Sequence, residues 1–321
     1  MYLTNISLDN KTSVAILMAA YNGINWIQEQ VVSIFNQKKV NFKIYISVDC
    51  STDYTKEFLE KLYSNDSRII ILPYGETFGA AAPNFYRLIR DVDFSEFDYV
   101  AFSDQDDIWL PEKLHRATTV MTEGGFDGYS SDVIAFWKNG KRKLLKKSQP
   151  QCKYDYLFEG AGPGCTCVMT NKLATALKER VVENWEIANS IDWHDWLAYA
   201  FARANNFKWF IDSRPGMLYR QHENNQIGIN AGFKAFYKRA KQILSGYGFE
   251  QVRKIAHLTG ADKEILVQNW LAGNKKSFIF ITVNVAKCRR KYKDRIFLIL
   301  ANMILFVFNK TSKEYSSNIH I

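Results

Sequence analysis

The sequence contains no long apolar run. Nowhere do about 18 apolar residues follow one another, so no standard transmembrane helix is expected. Its start, MYLTNISLDNKTS, lacks the apolar core of a secretory signal peptide. No G-x-G-x-x-G follows the first strand-like run, which disfavours a Rossmann dehydrogenase. Internal repeats and low-complexity tracts are also missing. The five cysteines are an odd, scattered set in which only Cys165 and Cys167 are close. One C-x-C without a second ligand pair is weak evidence for zinc, and the plain expectation is buried or loop thiols in a reducing cytosol. Acidic residues are scarce in one region alone. Residues 232–321 hold 17 Lys and Arg against 5 Asp and Glu, leaving 25 against 28 in the rest, although the whole chain carries +9. Basic character confined to one third predicts a folded domain over 1–231 with a basic helical extension over 232–321, and argues against a nucleic-acid binder.

The 321 residues are 47% hydrophobic and 15% aromatic, enough for a folded chain with one large domain plus an appendage. Along the first half, strand-like and helix-like runs alternate. Val14 to Met18 reads as a buried strand entering the loop Ala19-Ala20-Tyr21-Asn22-Gly23. Trp26, Ile27, Val31, Ile34 and Phe35 recur at helical spacing. Phe42 to Val48 is a second strand stopping at Asp49, and a helix is expected from Ser51-Thr52-Asp53 through about Tyr63. Arg68 to Leu72 is a third strand, Gly75 to Pro83 a loop, and Asn84 to Asp91 a helix. Tyr99 to Phe102 is a fourth strand running into Ser103-Asp104. Such alternation predicts an α/β fold with a mostly parallel sheet flanked by helices. Ligands bind beyond the carboxyl ends of strands in such sheets, and Asn22, Asp49 and Asp104 all lie there.

The second half is more mixed. A strand over Val133 to Trp137 precedes a basic hairpin-like turn, Lys138 to Lys147. A glycine-rich loop, Gly160 to Gly164, leads into Cys165 to Met169. A helix is expected over Asp192 to Ala204, then strands around Trp209 to Ile211 and Met217 to Tyr219, ending at Arg220-Gln221-His222.

Chemistry concentrates in Ser103-Asp104-Gln105-Asp106-Asp107, where three carboxylates within four positions repel one another unless a cation offsets them. Hard divalent cations take oxygen ligands and bridge carboxylates to diphosphate oxygens, so a strand-end Asp-x-Asp suits a metal–diphosphate complex. As a bare string it is equally an acidic turn or helix cap. The preceding strand and the other polar strand ends favour the site. Asp49 is either an N-cap or the acceptor for a nucleotide base N–H, with Ala20, Tyr21 and Asn22 flanking that base.

Five ordered blocks carry a resemblance: ILMAAYNGINWIQEQVVSIFNQ, ISVDCSTDYT, AFSDQDDIWLPEKL, HDWLAYAFA and YRQHENNQIG. Over residues 13–230 they resemble glycosyltransferase family 2, more narrowly its bacterial rhamnosyltransferase-like members. The resemblance implies a GT-A fold and inverting transfer from a nucleotide sugar. It implies that Asp49 binds the donor base, Asp104 and Asp106 bind Mg²⁺ or Mn²⁺, and His222 approaches the metal or diphosphate. Asp195, in His194-Asp195-Trp196, would be the general base. The donor implied is dTDP-L-rhamnose, or else a UDP-hexose, and the acceptor a lipid-linked or cell-surface glycan. Two positions depart from the family pattern. The usual Asp-Asp-Gly-Ser turn reads Val48-Asp49-Cys50-Ser51, and the common Thr of the first motif is Ala20. Rival readings are a non-catalytic membrane scaffold that keeps the fold, and a sugar nucleotidyltransferase, although AAYNGINW offers no Gly-rich basic phosphate loop.

In the extension, Phe233, Phe236, Tyr237, Ala240, Ile243 and Leu244 recur at helical spacing among lysines. KCRRKYKDR (287–295) precedes a 13-residue stretch, Ile296 to Phe308, apolar but for Asn302, too short to span a bilayer but suited to its interface. The expectation is a cytoplasmic enzyme, peripheral at the inner face of the cell membrane through anionic lipid. The other reading of this helix is docking on the catalytic domain or on a second copy in a homodimer.

Overall fold

The computed structural model describes residues 11–222, 246–272 and 275–307. The helical pattern of Phe233 to Leu244 and the 231/232 boundary lie outside these described residues.

Strand β1 (Ser13–Ala20) is buried from Val14 onward. Its unbroken apolar run suits a central parallel strand covered on both faces. Alternate side chains point to opposite faces. Ala15, Leu17 and Ala19 join one core, and Val14, Ile16, Met18 and Ala20 the other. Strands β2 (Asn41–Val48) and β4 (Tyr99–Ser103) flank β1 in parallel, and β3 (Ile69–Ile71) lies beyond β2. The full sheet has seven strands, in the order β10-β6-β9-β4-β1-β2-β3. Here β6 is Gly128–Ser131, β9 is Val168–Thr170 and β10 is Trp209–Asp212. β9 runs antiparallel between β4 and β6, so the sheet is mixed. A second sheet, β5-β11-β7-β8, joins Ile108–Trp109, Met217–Gln221, Val133–Trp137 and Arg142–Leu145. The expected basic hairpin is the β7–β8 pair, turning at Gly140 with φ +81°.

Helices α1 (Ile27–Phe35) and α2 (Thr55–Tyr63) follow β1 and β2. Helix α3 (Ala81–Asp91) starts earlier than the expected Asn84. Pro83 sits in its first turn, where a missing N–H leaves no helical bond unmade, so it does not delay the start. Helices α4 (Lys113–Gly124), α5 (Asn171–Glu183) and α6 (Trp185–Asn189) precede α7 (His194–Ala204), which is largely buried.

The C-terminal helices are α8 (Tyr247–Thr259), α9 (Ile265–Leu271), α10 (Lys275–Val283), α11 (Val285–Cys288) and α12 (Tyr292–Val307). They join the core that holds α3, α5 and α7, through Val252, Ile255, Ala256, Val267, Ile281 and Cys288. Polar ties run from α8 to the α7 entry: Gln251 accepts from Asp192 N–H at 3.0 Å, and Tyr247 OH donates to Asp192 at 2.6 Å. No helix among the described residues is long and apolar enough to cross a membrane.

Candidate active site

Because β2, β1 and β4 are parallel neighbours, their carboxyl ends open on one edge. Ala20 pairs with Val48, and Met18 with Ser103, so Tyr21-Asn22, Asp49 and Asp104 follow side by side. The loops beyond them are cross-linked. Asn22, at φ +46°, accepts the Thr52 N–H on Oδ1 at 2.8 Å, and its own N–H donates to Ser51 Oγ at 3.0 Å. Gln105 clamps the Tyr21 backbone twice: Oε1 accepts from its N–H at 2.9 Å, and Nε2 donates to its carbonyl at 2.8 Å. A Cβ on Gly23 would lie 2.0 Å from Gln105 Oε1, so glycine makes room for that clamp.

Ala20 is buried, and its carbonyl accepts from Asp49 N–H at 2.8 Å. Tyr21 is exposed. The buried Asp49 carboxylate accepts from the N–H groups of Cys50, Phe78 and Gly79 at 2.8, 2.9 and 2.9 Å. A carboxylate offers about four lone-pair sites, so these three bonds leave room for one more N–H.

The acidic cluster divides in two. Asp106 pairs with His222, Nε2 to Oδ2 2.7 Å, and the imidazole stacks on Trp26 at 4.2 Å and 11°. Asp104 instead groups with Asp107 and Cys165, whose candidate ligand atoms all lie within 4.8 Å of one another. Burial and the Asp106 charge push Asp104 up to about 7, and Asp195 adds to the effect. Asp107 is fully buried. It accepts from Arg220 N–H at 3.0 Å, and burial with Asp106 and Asp104 raises its carboxyl further. Its Oδ2 has no hydrogen-bond partner among the described residues. Burial, Asp107 and Asp104 raise the Cys165 thiol well above its ordinary value, so it stays protonated. Clustered carboxylate oxygens, one of them orphaned, with an imidazole alongside, fit a hard divalent cation. Behind them Lys113 is buried with its ammonium 3.5 Å from the Trp109 ring centroid, and burial lowers it to about 8.

Asp195 lies in the first turn of α7. Burial raises its carboxyl to about 6, against the N–H groups of Trp196 and Gly164 and the charge of Lys147. His194 faces inward, stacked on Phe85 at 3.8 Å, and burial depresses its imidazole to about 3. The Gly160–Gly164 loop lines this turn: a Cβ on Gly164 would lie 3.2 Å from Asp195 Cβ and 2.6 Å from His194 Nε2. A Cβ on Gly164 would touch Asp195, and the next residue, Cys165, stands among the Asp104 and Asp107 ligand atoms, so the α7 turn and the β4 end lie close together. Sequence reasoning missed the parts played by Cys165, Arg220, Gln105 and Lys113. Asp107 carried a signal inside the acidic run, but its inward orientation did not.

The family model for glycosyl transferase family 2 matches residues 15–175. A dTDP-rhamnosyl transferase, RfbG of Shigella flexneri, is 44% identical over 91% of this chain and 100% of its own length. The Escherichia coli UDP-Glc:alpha-D-GlcNAc-diphosphoundecaprenol beta-1,3-glucosyltransferase WfgD is 23% identical over 88% of this chain and 97% of its own. Among solved structures, Staphylococcus aureus TarS 1–349 aligns at a TM-score of 0.55 and 16% identity, covering 96% of this chain and 93% of that one. Its complex with UDP-GlcNAc gives 0.53 at 14% identity, covering 95% and 92%. The sheet and its helices have the GT-A fold of these neighbours. With the family model matched over half of the chain and a 44% identical relative aligned over its whole length, the chain belongs to glycosyl transferase family 2 and is a nucleotide-sugar-dependent transferase.

Proposed function

We propose that the protein is an inverting, metal-dependent transferase that moves L-rhamnose from dTDP-L-rhamnose onto a lipid-linked glycan in polysaccharide assembly. The observation that carries this reading is the placement of Asp195 against Gly164, one residue from the Cys165 that stands among the Asp104 and Asp107 ligand atoms. The donor assignment rests on the dTDP-rhamnosyl transferase aligned along its whole length, and a UDP-hexose is the second choice. The acceptor class rests on the diphosphoundecaprenol-linked substrate in the name of the glucosyltransferase relative.

In this mechanism Ala20, Tyr21, Asn22 and Asp49 hold the nucleotide, with the free lone pair of Asp49 accepting a base N–H. Asp104 and Asp106, with His222 beside them, would hold Mg²⁺ or Mn²⁺, which when bound neutralises charge on the departing nucleotide diphosphate. Asp195 takes the proton of the acceptor hydroxyl as the new glycosidic bond forms, a contribution of ~10²–10⁴-fold. Proton acceptor and leaving group lie on opposite faces of the sugar, so the anomeric centre inverts. The Gly160–Gly164 loop packs directly against the α7 turn beside this carboxylate.

Peripheral membrane attachment belongs to the same proposal. Ile279, Val283, Tyr292, Phe297, Leu300 and Met303 expose apolar surface on α10 and α12, next to the exposed Lys287 and Lys293. An apolar band beside basic residues suits an anionic interface, each Lys or Arg near the surface contributing about 1 kcal/mol. Co-sedimentation with phosphatidylglycerol vesicles should fall when Leu300 and Met303 are both changed to Glu; undiminished sedimentation removes this part.

The test of the activity is thermal shift with dTDP, UDP and GDP, each with and without Mn²⁺, followed by dTDP release from dTDP-L-rhamnose. A dTDP shift that needs metal supports the reading. A folded protein that responds to no nucleotide would return the chain to the scaffold reading.

A further inference from the structure

The C-terminal segment reaches back to the active site at Arg290. This side chain is wholly buried between two carboxylates of the stretch that begins the Gly160–Gly164 loop. Its backbone N–H donates to Glu159 Oε1 at 2.7 Å, and its Nη2 donates to Glu159 Oε2 at 3.3 Å and to the Gly160 carbonyl at 2.6 Å. Its Nε lies 3.6 Å from Asp155 Oδ2. Asp155, also fully buried, accepts from Tyr199 OH at 3.0 Å and from Arg203 Nη1 at 3.1 Å, both on α7. One guanidinium thereby ties the loop to the helix that carries Asp195.

The next residue grips the other side. Lys291 Nζ donates to the Lys146 carbonyl at 2.6 Å, just past β8 and one residue before Lys147, whose charge acts on Asp195. The loop it faces is in intimate contact with the α7 turn: a Cβ at Gly160 would meet Trp196 Cβ at 3.7 Å, and one at Gly164 would lie 3.2 Å from Asp195 Cβ. Anchoring a tail needs only apolar contacts, and a buried ion pair is a poor route to stability because desolvation offsets its attraction. Its Nη2 makes both guanidinium hydrogen bonds, while Nε and Nη1 have no hydrogen-bond partner among the described residues; what such a buried, ion-paired guanidinium supplies better than stability is fixed geometry.

We propose that Arg290 is a positioning residue for the acceptor side of the site. It fixes the 159–164 loop so that the Asp195 carboxylate points at the acceptor hydroxyl, and the C-terminal segment thus forms part of the catalytic apparatus. This inference rests on the reading of Asp195 as the base.

The experiment compares the full-length wild type with Arg290→Met, Arg290→Lys, Glu159→Gln and Asp195→Asn. Initial rates use dTDP-L-rhamnose and a short alkyl-diphosphate-linked GlcNAc acceptor, across pH 5 to 8. The expected result for Arg290→Met is a fall of at least about tenfold in kcat/KM for the acceptor. The pH midpoint of that profile moves away from the wild-type value, whereas the thermal shift with dTDP and Mn²⁺ is unchanged. Arg290→Lys, which keeps the charge, recovers part of the loss. Parallel loss of nucleotide binding and turnover, or no loss at all, overturns the inference. If Arg290→Met does not fold, Glu159→Gln decides, with the same selective acceptor defect expected and its absence counting against the proposal. An inactive Asp195→Asn beside a fully active Arg290→Met sinks the Arg290 inference alone. A fully active Asp195→Asn sinks the base assignment, and the inference with it.

Discussion

The His222 imidazole lies flat on the Trp26 indole, 4.2 Å between ring centroids, with its Nε2 2.7 Å from Asp106 Oδ2. Trp26 precedes α1 and His222 follows β11, so the stack joins the entry of the first helix to the second, smaller sheet. An aromatic surface that fixes the plane of an imidazole also fixes where its nitrogens point.

If that orientation serves a metal site, His222→Ala should weaken Mn²⁺-dependent dTDP binding by roughly 10–100-fold. Trp26→Leu should produce a smaller loss in the same direction. Titration calorimetry with Mn²⁺ at fixed dTDP reads both, and unaltered Mn²⁺ affinity in His222→Ala would remove His222 from the site.

Transfer should depend on Asp195 ionisation. A base works in its deprotonated form, and this carboxyl sits near 6, so kcat/KM should rise through about pH 6 and then level. Asp195→Asn should lose ~10²–10⁴-fold in kcat while keeping nucleotide binding. A pH profile still bending near 6 in the Asn variant would assign that titration to another group.

His194 ties stability to pH. Its folded pKa, about 3, lies below the ordinary histidine value of 6.5. Its contribution is complete above about pH 6.5 and is lost as pH falls toward 3, because the unfolded chain takes up the proton first. Between pH 7.5 and pH 5 this amounts to about 2 kcal/mol. Urea unfolding of wild type and His194→Gln at both pH values isolates it as the difference between their pH slopes. Equal slopes would mean His194 is not held neutral.

Gly23→Ala should act through Gln105. The new methyl would stand 2.0 Å from Gln105 Oε1, so that side chain must leave the Tyr21 backbone and two hydrogen bonds go with it. Nucleotide binding should weaken by about tenfold, the equivalent of one to two net hydrogen bonds. Gln105→Ala added to Gly23→Ala should do little further harm, because both remove the same clamp. Additive losses would show two independent effects.

Much of the sheet was legible because its signals are local. The apolar run of β1, the alternation of Phe42 to Val48 and the stop at Asp49 each occupy a few consecutive residues. Parallel neighbours then follow from the alternation with helices, and with them the common edge for Asn22, Asp49 and Asp104. The short β5 and the antiparallel insertion of β9 were not legible, since a two- or three-residue strand is defined by its partners. The early start of α3 was hidden by Pro83, which reads as a breaker but is tolerated in a first turn.

The acidic run Asp104-Gln105-Asp106-Asp107 shows where local information ends. Its charge density was visible in the string, but the different fates of its members were not. Asp106 turns to His222, Asp107 turns inward to the Arg220 N–H, and Gln105 reaches Tyr21, 84 positions earlier. Cys165, read as an unremarkable thiol, stands within 4.8 Å of two of these carboxylates because β9 inserts beside β4.

The sequence by itself therefore determined the alternating α/β order, the strand ends that bear polar residues and the basic character of the last third. These follow from side-chain periodicity and composition over short windows. Tertiary structure alone decided which carboxylates cluster, that the α7 turn bearing Asp195 lies near the β4 end, and that Arg290 is buried between Asp155 and Glu159. Those relationships join residues up to 135 positions apart in the chain. Burial and electrostatic reach depend on distance in space, and no short stretch of sequence encodes that distance.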